Sequence, residues 1–139
     1  MPIDFFFKPS PSRFSAAIAI SVAASILSAA ALAAAAHSTK DGAFTTQQAA
    51  RGKLVYEKSC ANCHQADFYR ERLARWKDKS IGELFEAVST AMPADNVGSL
   101  ATSEYIDVLA YVFSITGSPA GNNELTTDTM DAIKIAAVE

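Results

Sequence analysis

Only two cysteines, two histidines and one tryptophan occur among 139 residues. Two cysteines cannot build a multi-bridge disulfide framework. A structural zinc site wants four ligands, and beyond Cys60, Cys63 and His64 the only other histidine is His37. Basic residues are also scarce: 12 Lys and Arg stand against 15 Asp and Glu, a net −3. That balance makes a poor nucleic-acid binder. Of five prolines, none falls between His64 and Pro93. No internal repeat is visible, and nothing after residue 36 reads as a run of alternating strands.

What is present begins with an export signal. Lys8 and Arg13 supply a positive region, Phe14 to Leu32 carries no charge, and Ala33 to Ala36 offers small residues for a signal peptidase. Residues 1–36 are therefore expected to be a signal peptide, with a periplasmic location for the rest. The alternative keeps the segment uncleaved: Phe14 to Ala36 is 23 residues, long enough to span a bilayer, though its Ala and Ser make a weak span. Only then would the protein meet a membrane. Removing Asp4, Lys8 and Arg13 leaves ten basic and fourteen acidic residues, a net −4. Residues 37–44 are polar and read as a flexible lead-in, with one domain over 45–139.

Three main helices are expected. The first spans about Thr46 to Ser59, with Thr45 and Gln48 as a capping box. Gly52 lies inside it, and an internal Gly costs about 1 kcal/mol against Ala, so a close contact is its expected reason. The second spans Ile81 to Thr90, opened by a Ser80–Glu83 capping box. Ile81, Leu84, Phe85 and Val88 form its apolar face, and it stops before Met92-Pro93. The third runs from about Ser103 to Ile115, with Thr102 as its cap. Tyr105, Val108, Leu109, Val112 and Phe113 form a broad stripe, and Gly117 and Pro119 end it. Ile133-Lys134-Ile135 reads as a short extended piece. Three short helices make a thin core for a chain of this size, and a flat apolar cofactor among them would add buried surface.

Cys60-Ala61-Asn62-Cys63-His64 is the stretch that carries chemistry. It has the spacing of covalent haem attachment. Two cysteines three positions apart share one side of a helical turn, each can form a thioether to one vinyl group, and His64 is then placed to bind the iron. A thioredoxin-like redox pair would need a strand–helix unit around the motif, and a disulfide here would close too small a loop to constrain the chain. Haem c iron commonly takes His or Met opposite the first His. His37 lies beside the cleavage site, so Met is favoured. Met92, held beside Pro93 after an amphipathic helix, is preferred over Met130 in the tail, whose alternative is ordinary packing.

With these residues the chain resembles a class I cytochrome c. Gly52 and Tyr56 stand eight and four residues before Cys60, as in the family's first helix, and Asp107-Val108-Leu109-Ala110-Tyr111-Val112 is similar to the last helix that crosses it. The resemblance implies that Val108 and Tyr111 meet Gly52 and Tyr56. The stretch Ala91 to Leu100, with Glu104-Tyr105 and Pro119-Ala120-Gly121, narrows the likeness to the small cytochrome domains that accompany quinoprotein alcohol dehydrogenases. There a Trp in the position of Trp76, sixteen residues before Met92, often lies beside the haem. The likeness spans about Phe44 to Ile135.

One departure stands out. The family's longer loop after the histidine, with a Pro whose carbonyl orients the ring, is missing; His64 to Trp76 spans twelve residues. That leaves the partner of His64, which tunes ligand basicity, unassigned. Arg70, Arg72, Arg75, Lys77 and Lys79 occupy this stretch, interleaved with Asp67, Glu71 and Asp78. They read as a solvated helix face or as cations for haem propionates or an acidic partner. Phe68 and Tyr69 read as haem-pocket or core residues.

The expectation is an all-α protein, three main helices around one covalent haem c, that carries single electrons rather than catalysing a reaction. Cofactor-binding residues would be Cys60, Cys63, His64, Met92 and Trp76, with His64 and Met92 on the iron. Partners would be redox proteins, such as a quinoprotein dehydrogenase as donor and a terminal oxidase or another cytochrome as acceptor. The alternatives are a haem enzyme or gas-binding protein with an open sixth position, and a subunit relaying electrons within a dehydrogenase complex.

Overall fold

The computed structural model describes residues 36–138; the expected signal segment lies outside them except for Ala36. Four helices form: α1 (Thr46–Ser59), α2 (Ala66–Ala74), α3 (Ile81–Ser89) and α4 (Thr102–Ile115). The described residues contain no strand beyond two isolated bridges at Lys134, so the chain is all-α. The expected three main helices are corrected to four. α2 escaped the pattern because Gln65 caps it without a side-chain bond and only Leu73 on it is buried. Asp67 in its first turn and Arg72 in its last instead match the helix dipole.

Capping chemistry explains the other starts. Thr45 Oγ1 accepts the Gln48 amide at 3.1 Å. The expected return bond of that box does not form. The Gln48 side chain is buried and pairs with the main chain of Leu125, donating to its carbonyl at 2.8 Å and accepting its amide at 2.8 Å. Ser80 and Glu83 close their box in both directions, at 3.1 and 2.8 Å. Thr102 is the first residue of α4 rather than its cap; the cap position is Ala101, whose amide is held by the Glu104 carboxylate at 2.8 Å.

α4 is the central element, touching each of the other three helices. Tyr105 to Ala110, Val112 and Phe113 are all buried. Its crossing with α1 is the largest packing in the molecule and depends on Gly52: a Cβ there would lie 1.8 Å from the Asp107 carbonyl oxygen and 2.9 Å from the Val108 nitrogen. The same crossing is clamped by the Arg51 guanidinium, whose Nε and Nη2 donate to the Asp107 carboxylate at 2.9 and 3.1 Å while its Nη1 reaches Glu124 at 2.9 Å.

The tail fastens the rest. Leu125, Met130, Ile133 and Ile135 are buried. Lys134 donates to the His37 carbonyl and accepts from the Thr39 amide, both at 2.9 Å, while Ile133 and Ile135 bond the main chain of 78–81 at 2.9 Å. The stretch 37–44 is therefore more tied down than its polarity suggests. Thr39–Asp41 forms a capped 3₁₀ turn, and Ala43 and Phe44 join the core.

Candidate functional site

The last turn of α1 leads directly into the cysteine motif. The amides of Cys60 and Ala61 both donate to the Tyr56 carbonyl, at 2.8 and 2.9 Å, and those of Cys63 and His64 donate to the Cys60 carbonyl, at 3.1 and 2.9 Å. Five residues are thus wound into one tight turn. Both cysteines are free thiols; Cys60 is half-buried against the core and Cys63 is exposed. Burial raises the Cys60 thiol above its ordinary value. A redox-active pair needs the opposite shift, toward thiolate.

Aromatic rings surround this turn. His64 stacks on Phe68, centroids 4.4 Å apart at 30°, and meets the edge of Tyr69 at 6.0 Å. Arg72 lies over the other ring of that stack, 4.8 Å from the Phe68 centroid. Tyr56 contacts Tyr69 at 5.9 Å and Tyr111 at 5.0 Å, and its hydroxyl donates to the His64 carbonyl. Burial, then the neighbouring Cys60, pushes the Tyr69 phenol well above its usual value, so it stays protonated across the physiological range.

Among the described residues, His64 Nδ1 is the one buried side-chain polar atom with no hydrogen-bond partner. Leaving such an atom unpaired costs about 1–3 kcal/mol.

The other expected residues sit on separate segments. Trp76, in the link from α2 to α3, is half-buried against the core with Lys79 Nζ 4.9 Å from its ring centroid. Met92, just after α3, is half-buried. Its amide donates to the Val88 carbonyl at 2.8 Å and its carbonyl accepts the Tyr105 hydroxyl at 2.6 Å. Met130 is only 4% exposed within the core, and His37 is exposed with its carbonyl on Lys134. Cys60, Cys63 and His64 share one turn; Trp76 and Met92 sit on other segments, the α2–α3 link and the stretch after α3. The Tyr56 and Tyr105 hydroxyl bonds were not legible in residue spacing.

The residues fit a covalently held haem in their chemistry. Two unbridged thiols and one imidazole share a turn, and among the described residues no group of three or more His, Cys, Asp or Glu is placed to hold a bare metal ion. Two cavities lie elsewhere, one of about 140 Å³ between the tail and the end of α4, the other of about 280 Å³ beside Phe44, Ala49 and Tyr111. No family model, curated protein or solved structure matches the chain.

Proposed function

We propose that this chain is a class I cytochrome c: a periplasmic single-electron carrier, not an enzyme, holding one haem c through Cys60 and Cys63. The observation that carries the reading is the single turn holding two free thiols and His64, whose buried ring nitrogen lacks a partner. Bound haem supplies an iron centre that cycles by one electron.

The chain's own residues do the rest. Cys60 and Cys63 would hold the haem as thioethers, each S–H added across one vinyl group so that sulfur bonds one carbon and hydrogen the other. His64 is held by the Tyr56 hydroxyl at its carbonyl and by Phe68 on its ring face, which orients the imidazole for the iron. Met92 is the proposed sixth ligand, and Met130, buried in the core, is a packing residue. Thioether sulfur raises the potential relative to a second imidazole. Trp76 is proposed to flank the ring. Redox proteins are the proposed partners, a quinoprotein dehydrogenase as donor and an oxidase or second cytochrome as acceptor.

Mass spectrometry of the denatured, exported protein tests this. We expect one haem's added mass in the wild type and none after Cys60→Ser with Cys63→Ser. The far-red band reporting Met–Fe(III) should vanish in Met92→Ala and persist in Met130→Leu, which preserves core volume. An unmodified wild-type mass overturns the reading; loss of the band in Met130→Leu alone moves the ligand to Met130.

A further inference from the structure

The two proposed iron ligands share a feature: each has its main-chain carbonyl held by a buried tyrosine hydroxyl. Tyr56 serves His64 from α1, and Tyr105 serves Met92 from the first turns of α4 at 2.6 Å. Both tyrosines are buried, 7% and 5% exposed. They lie on the two helices whose crossing Gly52 makes close and Arg51 clamps to Asp107. The segments carrying the ligands are thus tied to one rigid pair of helices.

The Met92 end is the more specific. Its amide is bonded to Val88 at 2.8 Å, so with the Tyr105 bond both polar groups of its backbone are fixed. Everything that follows, from Pro93 to Leu100, is mostly exposed. The Tyr105 hydroxyl is therefore what holds the start of that loop to the core from the α4 side. The Tyr105 ring also packs edge-on against Phe85, centroids 6.3 Å apart at 89°, which aims the hydroxyl.

We infer that Tyr105 is a positioning residue for Met92, setting through the Met92 carbonyl how firmly the thioether stays on the iron. This rests on the haem reading above. Its effect is a population effect: with the hydroxyl gone, the Met-off state becomes more populated and a competing ligand binds with a correspondingly lower apparent Kd.

Tyr105→Phe isolates the hydroxyl, because it keeps the ring and its contact with Phe85. Two measurements on the exported, full-length protein separate the possibilities. Titration of the ferric protein with imidazole should show about fivefold tighter binding in Tyr105→Phe, the scale expected for one lost hydrogen bond. Met92→Ala, with no sulfur to displace, should show the same imidazole affinity with or without Tyr105→Phe. Amide exchange over residues 92–100 should speed up in Tyr105→Phe and stay unchanged over α1. Unchanged imidazole affinity in a protein that shows the Met–Fe(III) band overturns the inference while leaving the haem reading intact. Faster exchange in Tyr105→Phe of a protein whose wild type lacks the Met–Fe(III) band overturns the ligand role of Met92, and the inference with it.

Discussion

A methyl group on Gly52 would collide with main chain, the Asp107 carbonyl oxygen at 1.8 Å, and main chain at the middle of a helix cannot step aside as a side chain can. Ala is the better helix former by about 1 kcal/mol, yet overpacking of this kind costs about 1–3 kcal/mol or more. Gly52→Ala should therefore destabilise the fold by about 2 kcal/mol, read as a lower denaturant midpoint with an unchanged slope; equal or greater stability would show that the crossing is loose. Gly52 was legible because a glycine inside a helix needs a reason, and a close contact is the ordinary one. Tyr105 was legible only as an apolar stripe residue. Its hydroxyl's partner, Met92, lies thirteen residues earlier in a loop whose path no local pattern encodes.

At the scale of elements, starts marked by a capping side chain, Thr45 at α1 and Ser80 at α3, were readable, and the start of α2, which has none, was not. α3 begins where Ser80 and Glu83 announce it, whereas α2 has neither a capping bond nor an apolar stripe, and its charged residues read only as a solvated face without bounds. Gln48 shows the limit of local rules: its side chain leaves the box to serve Leu125, 77 positions away. The α3 cap also gives a pH signature. The Ser80 amide holds the Glu83 carboxyl below its usual value of 4.5. A carboxyl depressed in the folded state stabilises at pH above the unfolded value and loses that contribution as pH falls through the folded one. Thermal stability should therefore drop below about pH 4.5 with a smaller slope in Glu83→Gln than in the wild type. Identical slopes would mean the box is frayed in solution.

For the whole molecule, the tail is a structural member. Ile135 is fully buried, and its main chain bonds both Lys79 and Asp78 at 2.9 Å. Ile135→Ala should cost about 2–4 kcal/mol, measured by chemical unfolding; a cost below about 1 kcal/mol would place the tail outside the cooperative unit. The sequence pattern suggested only a short extended piece here, because the partners, His37, Thr39 and residues 78–81, are far along the chain. These late residues are also what close the structure over its beginning. A ribosome delivers residues 133–135 after all four helices have been made, so the core cannot be completed until they arrive.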